Sequence, residues 1–282
     1  MTETPQTAQA ETLSAPESEP AKKKEEGSFF VFLLKLAVFV LVFRSFVLAP
    51  FSIPSESMLP RLENGDQLLA SKWSYGISNY SLPFGLAPFP KGRLFASQPE
   101  RGDVVIFKAP PLNDEDYIKR VIGLPGDQIQ MIGGVLYING TAVKKQRMAD
   151  FEIPVSPNTR CAEAQFSAQD AQGKAICRYP QFRETLPNGV SYNVLDFGPR
   201  PQDDTPVYIV PQGMMFLMGD NRDNSQDSRF PAVPGGAVGI VPQDNLVAKA
   251  GIMMWSSDGS AELLKPWTWF TTVRWSRIGG LF

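Results

Sequence analysis

Residues 116–140 read "DYIKRVIGLPGDQIQMIGGVLYING". The stretch is rich in β-branched and aromatic residues and is broken by turn signals, the strongest being Gly133-Gly134 and Asn139-Gly140. Such pairs suit two-residue hairpin loops, whose central positions take positive φ. The stretch therefore reads as successive antiparallel strands. Side chains alternate along a strand, so Tyr117, Lys119 and Val121 share one face of the first strand. If Tyr117 and Val121 point inward, Lys119 does too, and Arg120 points outward.

Further β-rich runs lie on either side, "GDVVIFKAP" at 102–110 and "VYIVPQGMMFLMGD" at 207–220. Residues 146–207 are polar, Pro-rich and irregular, and read as an insertion or small second domain. No helix-period stretch of any length follows residue 50, and no internal repeat is visible. The expected fold is mostly β. An antiparallel catalytic core is formed by 50–145 and 208–282, with a second, smaller β-rich insertion domain at 146–207. One N-terminal transmembrane helix precedes both.

Residues 1–28 have almost no apolar content and read as a disordered tail ending near Lys22, Lys23 and Lys24. Then comes "FFVFLLKLAVFVLVFRSFVLA" at 29–49. A helix of this length spans ~30 Å, the thickness of a bilayer core. Lys35 and Arg44 fall toward its two ends, where long side chains snorkel. The run is too long for the apolar part of a cleavable signal peptide, so it reads as an uncleaved anchor. The three lysines favour a cytoplasmic N-terminus, which leaves the remainder outside the cytoplasm. Two aromatic stretches, 73–99 and "KPWTWF" at 265–270, admit two readings, ordered loops over the core or surfaces that dip into the bilayer interface.

The chain has 282 residues, a net charge of −2 and no histidine. The charge gives no case for nucleic acid as a partner. The missing histidine excludes every Ser-His-Asp and Cys-His scheme and every His-ligated metal site. Two cysteines, Cys161 and Cys177, are too few for a Cys₄ site. They read either as a disulfide closing a short loop or as two free thiols.

A serine nucleophile here needs a base other than histidine. Lysine can serve if burial depresses its pKa, by up to ~3–5 units when burial is complete. Lys119 is the candidate, because Lys72, Lys91, Lys144 and Lys174 sit in turns or polar segments. Neither Ser-x-x-Lys nor Gly-x-Ser-x-Gly occurs in the chain. Candidate serines stand in "PFSIPSESMLP" at 50–60, where prolines hold the chain extended directly after the apolar run. A third segment, "GDNRDNSQDSR" at 219–229, carries three Asp and two Arg against the buried-strand signal "MMFLM". Charge packed on a core strand needs pairing, which points to a network of Asp-Arg pairs.

Together these segments resemble the bacterial type I signal peptidases, membrane-bound serine/lysine proteases that remove signal peptides from exported proteins. The resemblance rests on "PSESMLPRL", "NGD" at 64–66, "RGDVVIF", "YIKRVIGLPGD", "GDNRDNSQDSR" and "SRIGG" near the C-terminus. Arg61 departs from the threonine common in that family, and Glu56 occupies a position the family leaves variable. The resemblance implies Ser57 as nucleophile and Lys119 as general base, with the Ser57 N–H and the Ser55 hydroxyl as oxyanion hole. It also implies Ser225 as a hydrogen-bond partner that orients Lys119, and Asp220, Arg222, Asp227 and Arg229 as a supporting network. The implied fold is similar to that of self-cleaving repressor proteases, a mostly antiparallel β structure with a second β domain.

Signal peptides end in small residues at the third and first positions before the cleavage site, which calls for shallow apolar pockets. Phe51 and Ile53 alternate on one side with Ser55 and Ser57, and with Pro54, Met58, Leu62, Tyr117 and Ile118 they resemble the family's pocket lining. Glu56 is expected to point outward to water. The expected function is cleavage of signal peptides from preproteins, without metal or cofactor, in the bacterial inner membrane. Membrane lipid and the protein-export machinery are the expected neighbours. The alternatives are a specialised single-substrate maturation peptidase and a non-catalytic membrane-anchored β domain that binds exported chains.

Overall fold

The strand predicted around Lys119 is present. It runs from Asp116 to Gly123 and sits deep in a seven-stranded antiparallel sheet. The computed structural model describes residues 22–81 and 92–282. Most of the expected disordered tail, and residues 82–91 of the aromatic stretch, lie outside the described residues. The chain divides into two compact units, Met1–Leu41 and Val42–Phe282.

The first helix, α1, covers Lys22–Phe46. Its apolar side chains are exposed along its length, among them Phe30, Leu34, Phe39 and Leu41. It stops short of the expected boundary at residue 49, and Leu48–Ser52 forms a strand instead. Pro50 explains the early stop, because its ring disfavours helical geometry at Ala49 and it has no N–H to donate. Among the described residues, no helix is long and apolar enough to cross a membrane.

The large sheet contains β1 (Leu48–Ser52), β2 (Asp66–Ser71), β3 (Val104–Lys108), β4 (Asp116–Gly123), β5 (Met214–Met218), β6 (Val241–Pro242) and β7 (Leu246–Ser256). Their order is β1-β2-β7-β3-β4-β5-β6, with every neighbouring pair antiparallel. Pro50 and Pro242 fall on the two outermost strands, where a missing ladder donor costs least. One core cluster holds Ile53, Met58, Leu68, Ile106 and Ile118. Another holds Val105, Phe107, Val121 and Leu217. Tyr117 packs against that second cluster, so Tyr117 and Val121 do share a packed face, as the alternation predicts.

The prediction for Arg120 is corrected. Arg120 is buried, not solvent-facing. The reason is that from Ile118 onward β4 is buried on both faces. Its far end, at Ile122, packs with Phe216 of β5 and with Ile129, Leu136 and Val194 from the smaller sheets. Strands Gln128–Ile132, Val135–Ile138 and Thr141–Ala142 form a four-stranded sheet with Tyr208–Ile209. Gly133, Gly134, Asn139 and Gly140 all have positive φ, as hairpin loops of this length demand.

The segment around 146–207 builds two three-stranded ladders. One joins Lys144–Arg147, Gln181–Thr185 and Ser191–Leu195; the other joins Phe151–Pro154, Ala175–Tyr179 and Ser167–Gln169. Lys144, expected in a turn or polar segment, begins a strand. Leu186, Tyr192 and Val194 share a core with the 128–143 hairpins. Cys161 and Cys177 are joined in a disulfide.

Candidate active site

After β1 the chain stays extended to Ile53, whose N–H donates to Asp66 O at 2.8 Å. It then turns. Leu59 N donates to Glu56 O at 3.1 Å and Leu62 N to Met58 O at 3.0 Å. Ser57 stands at the start of this turn. Met58 and Leu62 are fully buried in the core cluster with Ile53 and Ile118. They therefore do not line the cleft as expected, because the turn ends the extended alternation and drops both side chains beneath the serine. Phe51, Ile53, Pro54, Tyr117 and Ile118 do line it, in a cleft of about 590 Å³ that also contains Ser55, Ser57 and Lys119.

Lys119 and Ser57 meet although they are 62 residues apart. The Lys119 Nζ donates to Ser57 Oγ at 2.7 Å and to Ile118 O at 3.1 Å. Both residues are buried, at 4% and 8% exposure. Burial pushes the lysine pKa down from 10.5 to about 8, against the opposing pull of Asp227 and Asp220. Once the amine is neutral, the polarity of the Ser57 contact reverses. The hydroxyl then donates to the nitrogen, which is the geometry for proton abstraction. Ser55 Oγ lies 3.3 Å from Ser57 Oγ.

The 219–229 segment holds this arrangement from behind. Asn221 N donates to Ser57 O and Asn221 Nδ2 to Glu56 O, both at 3.1 Å. An added Cβ on Gly219 would lie 2.2 Å from Ser225 Oγ and 2.5 Å from Ser57 O, so only glycine permits this approach. The charge network is wider than the internal Asp-Arg pairing expected. Only Asp227 and Arg229 pair within the segment, at 2.9 and 3.0 Å. Asp220 takes Arg120 in a two-point contact at 2.7 and 2.5 Å. Arg222 takes Glu184 at 2.7 and 2.6 Å, and Glu184 also accepts from the Tyr192 hydroxyl at 3.0 Å. Burial would raise the Asp227 carboxyl, but the Arg229 guanidinium outweighs it and holds the pKa below the ordinary value. For Arg222 burial favours the neutral form, and Glu184 overcomes it.

Ser225 is buried, and its hydroxyl acts on the Asp227 carboxylate, helping to hold that group's pKa down, while no hydrogen bond joins it to Lys119. The expected bond to the Lys119 amine is therefore not made in this structure. Glu56 is also corrected. It is half-buried, accepts from the Arg160 backbone N–H and from Asn224 Nδ2 at 3.5 Å, and lines the cleft. The loop at Arg160 covers the side that was expected to face water. Burial raises its carboxyl pKa.

Residue patterns did not single out Asn221, Glu184 or Gly219. Asn221 and Gly219 lie inside the polar block already noted. Glu184 had no local signal, being one acid in a polar strand. Among the described residues, no group of three or more acidic or sulfur side chains converges as metal ligands would.

Residues 27–255 match the family model described as signal peptidase, peptidase S26. Signal peptidase I of Rickettsia prowazekii (strain Madrid E) is 38% identical over 274 residues, covering 90% of this chain and 92% of that protein. Signal peptidase I of Rickettsia typhi (strain ATCC VR-144 / Wilmington) is 37% identical over the same length, covering 90% and 92%. Among solved structures, a signal peptidase I from Enterococcus faecalis V583 aligns with 54% of this chain and 97% of its own, at 24% identity and a TM-score of 0.29.

Proposed function

Because this chain belongs to the signal peptidase family, peptidase S26, and is a serine endopeptidase, we propose that it cleaves signal peptides from exported preproteins with Ser57 as nucleophile and Lys119 as general base. The observation that carries this reading is the 2.7 Å contact between a buried lysine amine and a buried serine hydroxyl at the floor of a cleft. Neutral Lys119 takes the Ser57 proton as Oγ attacks the scissile carbonyl. The Ser57 N–H and the Ser55 hydroxyl hold the developing oxyanion. The lysine returns the proton to the leaving amine, and then activates the water that releases the acyl group.

Asp220, Arg222, Asp227 and Arg229 keep the segment behind Ser57 rigid. Ser225, buried beside Asp227, serves as a further oxygen partner for the Lys119 amine. Phe51, Ile53, Pro54, Tyr117 and Ile118 form the shallow wall that admits small side chains before the cleavage site.

The anchoring reading rests on the apolar run at 29–49 and on the exposed apolar side chains of α1. It assigns the protein to the bacterial inner membrane, with the N-terminus cytoplasmic and the β unit outside. Membrane lipid and export machinery are then its neighbours. Residues 50–145 and 208–282 are assigned to the catalytic domain, and 146–207 to a second domain that lends Glu184 to the site's support.

The test is cleavage of a purified preprotein in detergent. The reading expects one cut, after a junction with small residues at the third and first positions, with chelators having no effect. An uncut preprotein, or a cut that ignores those positions, contradicts it.

A further inference from the structure

The cleft wall changes character at Ser57. On one side Phe51, Ile53, Ile106 and Ile118 are apolar and pack in a single core cluster. On the other, Glu56, Asn224 and Gln226 are polar, and Gly235 and Gly236 leave the wall open. Glu56 and Asn224 touch at 3.5 Å, and Asn221 Nδ2 clamps the Glu56 carbonyl at 3.1 Å, so these groups form one surface beside the nucleophile. A bound chain runs through Ser57 in both directions. The cleavage reading above, on which this inference rests, gives the apolar wall to the small residues before the scissile bond. The residues after it are left the polar wall.

Charge on that wall is uneven. Lys119 is the sole cation among the described residues lining the cleft, and it has to be neutral to take the serine's proton. Asp116, at the cleft's rim, is offset by Lys108 at 3.0 Å, and Glu115 beside it is exposed to water. Glu56 is half-buried, and among the described residues no lysine or arginine side chain pairs with it. Its partners are the neutral Arg160 N–H and Asn224 amide.

We propose that Glu56 is a specificity-determining residue that selects against acidic side chains at the first position after the scissile bond. A substrate carboxylate there meets an uncompensated carboxylate in a partly desolvated cleft, where like charges repel more strongly than in open water. A neutral or basic side chain meets no such barrier.

The experiment uses three preproteins that differ only in that first residue, Asp, Asn or Lys, and compares wild type with Glu56→Gln. Glutamine keeps an oxygen for the Arg160 N–H and removes only the charge. In the wild type, kcat/KM for the Asn substrate is expected to exceed that for Asp by about tenfold, with Lys at least equal to Asn. In Glu56→Gln the Asn-to-Asp ratio is expected to fall to about twofold. Because each ratio is taken within one preparation, partial loss of folded enzyme does not move it. Equal cleavage of Asp and Asn by the wild type overturns the inference, as does a ratio unchanged by Glu56→Gln, and both leave the cleavage reading standing. Failure of the wild type to cut any of the three overturns the cleavage reading, and this inference with it.

Discussion

In water a lysine amine stays protonated to a pH near ~10.4 and is useless as a base at neutrality. Lys119 is different because it is buried, which lowers its pKa to about 8. In the proposed mechanism only the neutral amine takes the serine proton. Activity is therefore expected to rise about tenfold per pH unit below that value and to level off above it. A flat profile from pH 6 to 9 contradicts the role. Arginine does not lose its proton in this range, so Lys119→Arg is expected to be inactive. The same shift bears on stability. The folded pKa lies below the unfolded one, so the unfolded chain binds more protons between about 8 and 10.5, and this group's contribution falls as the pH drops through that window. At neutral pH the full burden is present, on the order of ~3 kcal/mol at ~1.36 kcal/mol per unit. Lys119→Met should be inactive yet no less stable in urea denaturation; a loss of several kcal/mol would argue that the lysine is structural. Lys119 was legible in the sequence because strand alternation depends only on its neighbours. The burial of Arg120 was not, because it depends on what covers the second face of β4, and that comes from residues far along the chain.

At the scale of elements, the site depends on how closely the 219–229 segment approaches the turn at Ser57. Gly219→Ala would push a methyl group against the Ser57 carbonyl and the Ser225 hydroxyl. It is expected to reduce kcat by at least about 100-fold, the scale of a ~1 Å misplacement. Near-normal kcat would mean the segment can yield without disturbing Ser57. Glu184 tests the network at longer range. Glu184→Ala leaves Arg222 buried without its partner, and removing one member of such a pair costs about 3–5 kcal/mol. Denaturant titration should detect this directly, and a change under about 1 kcal/mol would mean water reaches Arg222. That the charged block at 219–229 needed partners was readable from its composition. Which partners it takes was not, since Glu184 lies 38 residues from Arg222 on a strand with no motif of its own.

For the whole molecule, the hairpins around 128–142 were legible from Gly133-Gly134 and Asn139-Gly140. The order of the large sheet was not. β7 comes from the C-terminal part of the chain and inserts between β2 and β3, a pairing that no local pattern signals. Cysteine spacing left the disulfide open, and the structure joins Cys161 to Cys177 across 16 residues. Alkylation without reductant should add no mass, and with reductant it should add two labels. Labelling of native, unreduced protein would contradict the bond. If the proposed topology holds, protease added to spheroplasts should digest the β unit and spare only a short N-terminal fragment.

The Ser57–Lys119 dyad is tested most directly by the cleavage rate of one preprotein in detergent by wild type, Ser57→Ala and Lys119→Ala, each verified as folded. Cleavage by the wild type, with loss of activity below detection in both variants, is the predicted result. Cleavage at or near the wild-type rate by either variant would contradict it.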